Sequence, residues 1–127
     1  MAKKILAVDD DIITQNMLRS TLSHAGYSVT VASDGEEGIK KAVEEKPDLI
    51  ILDIMMPGMD GGEVAGFLRT NPETEKIPII FLSSLITGKG QKIRNKCDIT
   101  SYLSKPYNRN ELLNEIRRLL SGTEIAS

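Results

Sequence analysis

Four apolar runs in this chain lead into groups that can do chemistry. Leu49-Ile50-Ile51-Leu52 ends in Asp53, and Ile5-Leu6-Ala7-Val8 ends in Asp9-Asp10-Asp11. Ile79-Ile80-Phe81-Leu82 ends in Ser83, and the short run at Tyr102-Leu103 leads to Lys105. Read as buried strands, these runs bring carboxylates, a hydroxyl and an ammonium to the carboxyl edge of one sheet, where open α/β folds bind their ligands. Carboxylates crowded together repel, and either a bound cation or a raised pKa on one member relieves the strain. Oxygen-only donors favour a hard cation, and few protein carboxylates with several retained waters suit Mg2+. Beside Ser83 and Lys105, such a site has the parts needed to hold a phosphoryl group, whose oxygens the metal and the ammonium neutralise. A carboxylate can be the nucleophile, forming an acyl phosphate.

Those side chains must be positioned by elements that the pattern predicts directly. The first, third and fourth runs are continuously apolar, as parallel strands covered on both faces are. With Val29-Thr30-Val31-Ala32 they make five strands, alternating with helical segments. Asp11 caps the first helix and Gly26 stops it, with Ile13, Met17, Leu18, Leu22 and Ala25 read as one apolar face. Asp34 caps the second, which carries Ile39, Ala42 and Val43 and is ended by Pro47. Val64, Phe67 and Leu68 mark the third, closed by Asn71-Pro72, while Asp60 is read as a turn residue with Gly61 and Gly62. The segment Thr87 to Lys92 contains two glycines and predicts only a short, weak fourth helix. Leu112, Leu113, Ile116, Leu119 and Leu120 mark the fifth, capped by Asn108 or Asn110. The repeat is (βα)5, an α/β fold with a doubly wound parallel five-stranded sheet and helices on both faces.

Size and composition narrow the function. The chain has 127 residues and a formal net charge of −2, enough for one domain with a real core. The mixed charges exclude the basic stripe of a non-specific nucleic-acid binder. Cys97 is the only cysteine, which excludes an internal disulfide or a cysteine-based zinc site. The apolar runs are too short to span a bilayer, so a cytoplasmic setting is expected. Residues 122–127 are small and polar and read as a flexible tail or the start of a linker.

Asp9-Asp10, Asp53 with Met56-Pro57-Gly58-Met59-Asp60-Gly61, Ser83-Ser84 and Lys105-Pro106-Tyr107 occur in order, each at a strand end. Together they resemble the receiver domain of two-component response regulators over about residues 3 to 120, and residues 1–121 are taken as that domain. The resemblance implies a flavodoxin-like sheet of order 2-1-3-4-5. It implies Asp53 as phosphoryl acceptor, with Asp10, Asp53 and the Met55 carbonyl as direct Mg2+ ligands and Asp9 acting mainly through water. Ser83 and Lys105 would contact the phosphoryl group, and Ser83 and Tyr102 would form the switch. Asp98 and Ile99 depart from the Gly-Ala pair the family usually has before the switch aromatic. The implied donor is a histidine kinase or a histidine phosphotransfer protein, and the implied recipient is an unidentified output domain or effector protein. Neither nucleic acid nor membrane is expected to bind this domain directly. On this reading the chain is not an enzyme beyond its own phosphorylation and dephosphorylation. The alternatives are a degenerate receiver acting as a binding module and a Mg2+-dependent aspartyl phosphotransferase. The second usually carries its nucleophile on the first strand rather than the third and needs room for a cap.

Overall fold

The computed structural model describes residues 2–54, 58–83, 100–104 and 108–125. Five strands lie in it: β1 Lys4–Val8, β2 Ser28–Ala32, β3 Leu49–Asp53, β4 Ile79–Ser83 and β5 Thr100–Ser104. All pair in parallel, in the order β2-β1-β3-β4-β5, as expected. Four helices are described: α1 Ile12–His24, α2 Gly35–Glu45, α3 Gly61–Thr70 and α4 Arg109–Ile125. The weak helix expected near Thr87 to Lys92 lies outside the described residues. The last helix runs past Ser121 to Ile125.

Alternation along the strands divides the core into two layers. Ile5, Ala7, Leu49 and Ile51 face α1 and α4, meeting Leu18, Leu22, Leu112 and Ile116. Leu6, Val8, Ile50 and Leu52 face α2 and α3, meeting Ala42, Val64 and Leu68. β3 is buried along its whole length. It sits at the centre of the sheet, and this is why its sequence has no polar face.

The helix ends follow from local chemistry. The Asp11 side chain accepts from the Thr14 backbone N–H at 3.0 Å. At the other end of α1, Gly26 takes φ +99°. Its N–H donates to the Ser23 carbonyl while that of Tyr27 donates to Leu22, both at 3.0 Å. This is a Schellman closure, which a glycine at that position permits. Asp34 caps α2 through the Glu37 N–H at 2.8 Å. Asp60 does more than shape a turn. It is the N-cap of α3, paired with Glu63 in a reciprocal capping box. Of the two candidate caps for α4, Asn108 makes the bond, accepting from the Glu111 N–H at 2.7 Å.

One expected face is right only at Leu18 and Leu22. α1 buries Gln15, Leu18 and Leu22, whereas Ile12, Ile13 and Met17 are 63%, 71% and 53% exposed. Ala25 is exposed as well. The Leu18–Leu22 stripe continues back through position 15, so a glutamine occupies the inward position and the isoleucines point outward. Phe67 on α3 is likewise 47% exposed.

Candidate functional site

The strand ends deliver the acids to one place. Asp53 is the last residue of β3, and Asp9 and Asp10 follow β1 directly. β1 and β3 are neighbours in the sheet, although their helices α1 and α3 lie on opposite faces. This is the point where the winding reverses and a crevice opens. One carboxylate oxygen from each of Asp9, Asp10 and Asp53 lies within 4.8 Å of the others. Asp9 and Asp53 are buried, while Asp10 is exposed at the mouth. Two buried acids and one exposed acid at this spacing repel one another, and positive charge placed beside them would relieve that repulsion.

The main chain around the cluster is tightly held. The Asp9 N–H donates to the Ala32 carbonyl at 3.0 Å, and its Oδ1 accepts from the Asp11 N–H at 2.9 Å. Asp11 is therefore a cap and a support for the cluster. The Ile54 N–H donates to the Leu82 carbonyl at 3.0 Å, and the Gly61 N–H donates to the Ile54 carbonyl at 3.1 Å. Gly61 presses on the end of β3 itself: a Cβ there would lie 2.6 Å from the Asp53 carbonyl oxygen and 2.9 Å from the Ile54 Cα. Only a glycine lets the start of α3 come this close to the end of β3.

The other expected site residues divide as follows. Ser83 ends β4, one residue beyond Leu82, the register partner of Asp53. Tyr102 lies in β5 opposite Phe81, and the two rings stack with centroids 5.0 Å apart and planes 21° from parallel. Met55 and Lys105 lie outside the described residues, as do Cys97, Asp98 and Ile99. Sequence reasoning missed Gln15. Its side chain is 4% exposed, and its Nε2 donates to the Asp9 carbonyl at 2.6 Å and to Ser33 Oγ at 3.2 Å. The spacing of Gln15 with Leu18 and Leu22 was the available signal. Among the described residues, no helix is long and apolar enough to cross a membrane.

Comparison with known proteins agrees with this geometry. Residues 5–117 match the response regulator receiver domain family. The chain is 39% identical over 127 residues to the alkaline phosphatase synthesis transcriptional regulatory protein PhoP of Bacillus subtilis, covering all of this chain and 52% of PhoP. It is also 39% identical to the DNA-binding dual master transcriptional regulator RpaA of Synechocystis, covering 95% of this chain and 50% of RpaA. The chain thus spans about half the length of the curated relatives it matches. Among solved structures, the Vibrio cholerae chemotaxis protein CheY4 superposes with a TM-score of 0.84 at 34% identity, covering 94% of this chain and 99% of CheY4. The receiver domain of sensor histidine kinase PA1611 from Pseudomonas aeruginosa, solved with a magnesium ion coordinated in its active site cleft, gives 0.82 at 28% identity, covering 95% and 99%. Sheet order, acid cluster and sequence all lead to one assignment: the chain belongs to the response regulator receiver domain family of two-component systems.

Proposed function

We propose that Asp53 is the phosphoryl acceptor of this receiver domain and that Asp9, Asp10 and Asp53 hold Mg2+ beside it. The convergence of three carboxylates within 4.8 Å, two of them buried, carries the reading. An all-oxygen donor set of this kind fits a hard divalent cation. Bound there, Mg2+ supplies positive charge for the oxygens of an incoming phosphoryl group. Met55, through its carbonyl, and Lys105 complete the proposed site on the strength of the family motif, and Ser83 contributes its hydroxyl.

The chain's own residues have separate tasks. A carboxylate oxygen of Asp53 attacks phosphorus as the N–P bond of a donor phosphohistidine breaks, and the bonding pair leaves with the imidazole nitrogen. Burial of Asp53 limits access of water to the acyl phosphate that forms. The donor belongs to a histidine kinase or a histidine phosphotransfer protein, which must cover the mouth of the site to reach Asp53. Ile12, Ile13 and Met17, exposed on the helix that starts at the acid cluster, offer apolar area for that contact. Phosphorylation then biases Ser83 and Tyr102 and changes the preference for an output domain or effector. The protein acts on itself and turns over no separate substrate.

Intact mass after incubation with Mg2+ and a small acyl-phosphate donor tests the reading. The wild-type chain gains one phosphoryl group and Asp53→Asn gains none. Wild-type protein that stays unmodified identifies a degenerate receiver serving as a binding module, and catalytic turnover of a phosphomonoester identifies a phosphotransferase.

A further inference from the structure

We propose that Gln15 is a positioning residue for the acid cluster, acting through the peptide unit that joins Asp9 to Asp10. The proposal rests on the metal-binding reading above and adds a residue to it. β1 ends at Val8, so the Asp9 carbonyl stands where the strand ladder has run out. Its partner is the Gln15 carboxamide, whose Nε2 donates at 2.6 Å from a side chain only 4% exposed. A carbonyl accepts and never donates, so this contact fixes which end of the amide faces Asp9. The same nitrogen reaches Ser33 Oγ at 3.2 Å, tying α1 to the turn that follows β2.

The Asp9 carbonyl belongs to the planar unit that carries the Asp10 N–H. Holding that oxygen therefore sets the plane from which two of the three carboxylates project. The Asp9 N–H is already fixed by Ala32 and its Oδ1 by the Asp11 N–H. The Gln15 bond adds an anchor at the carbonyl. A glutamine suits the place because it donates without charge. A glutamate would set acceptor against acceptor and add a negative charge to a site that already has three. A methionine would keep the length and remove this donor. Groups that orient the ligands of a metal site commonly change affinity by about 10-fold or more when removed.

The test is a calorimetric Mg2+ titration of the 127-residue chain as wild type, Gln15→Met and Ser33→Ala, with thermal melting in EDTA alongside. Gln15→Met is expected to bind Mg2+ about 10-fold more weakly, whereas Ser33→Ala, which keeps the 2.6 Å bond, stays within about twofold of wild type. A Gln15→Met protein that melts lower but binds Mg2+ with wild-type affinity overturns the proposal and leaves the metal reading intact. Wild-type protein that binds no Mg2+ overturns both. Should Gln15→Met not fold, the side-chain NH2 resonances of Gln15 in the wild type decide. They are expected to exchange slowly with solvent and to shift on Mg2+ addition, and resonances indifferent to Mg2+ overturn the proposal.

Discussion

Replacing Gly61 with alanine should destabilise the domain and damage the site together. In an ordinary helix the change is favourable, because alanine loses less backbone freedom and has the higher helix propensity. Here the new Cβ would lie 2.6 Å from the Asp53 carbonyl oxygen, where ordinary contact begins near 3.4 Å. About 0.8 Å must be found, and the obstacle is main chain at the end of a fully buried strand, not a side chain that can rotate. Overpacking of this kind costs about 1–3 kcal/mol. For a chain of 127 residues each kcal/mol lowers Tm by about 4 °C, so a fall of roughly 4–12 °C is expected. Gly66→Ala is the internal control. It lies on the same helix, exposed, and its Cβ would meet nothing within 4 Å, so a gain of about 0.5–1 kcal/mol is expected. Thermal melts of both variants in EDTA, followed by phosphorylation rates with an acyl-phosphate donor, make the assay. Displacing a reacting carboxylate by most of an ångström should slow phosphorylation by up to about 100-fold, while Gly66→Ala leaves the rate unchanged. A Gly61→Ala protein as stable and as readily phosphorylated as wild type would refute the close approach of α3 to β3.

Three further outcomes are expected. Asp10→Asn removes one charge from the cluster, so its Tm without Mg2+ should rise and its Mg2+-induced stabilisation should largely vanish; a lower metal-free Tm contradicts the repulsion argument. The Ser33 N–H bond, helped by Lys41 against a partly opposing burial, holds the Glu37 carboxyl below its usual 4.5. A depressed folded-state pKa contributes stability above the unfolded value and loses it as pH falls through the folded one. The stability gap between wild type and Glu37→Gln should therefore shrink as pH drops below about 4.5, and a gap that widens in acid denaturation would reverse the sign. The Arg69 guanidinium donates to the carbonyls of Glu75 and Ile77 at 3.1 and 2.8 Å and to Thr100 Oγ1 at 3.3 Å. Arg69→Ala should cost about 2 kcal/mol in urea unfolding, and a loss below about 0.5 kcal/mol would show those bonds to be idle.

The sheet and the acids were legible because burial on both faces leaves a strong mark. A run such as Leu49 to Leu52 has few other uses, and a charged residue that ends it must stand at an edge. Caps were legible for the same local reason: Asp11, Asp34 and Asn108 bond within three residues of themselves. The face of α1 was not, because Ile12, Ile13 and Met17 are apolar without being core, and hydropathy cannot distinguish a buried side chain from an apolar one left at the surface. Gln15 escaped notice because a polar residue on a buried face looks like a break in the pattern until its acceptor is known. The role of Gly61 depends on a helix and a strand meeting in space. In the sequence it looked like one more turn glycine.

The division of the core into two layers has an evolutionary consequence. Adjacent positions on β1 answer to different neighbours: Ile5 and Ala7 share a layer with Leu18 and Ile116, Leu6 and Val8 with Ala42 and Val64. A change of volume at Ile5 can be compensated from α1 or α4 without disturbing the packing behind α2. Each side can then drift at its own pace while the strands between them keep their register. Tyr102 belongs to the α2–α3 layer and its neighbour Leu103 to the α1–α4 layer. A lineage could therefore remodel what the tyrosine packs against and inherit the surface of α1 unaltered.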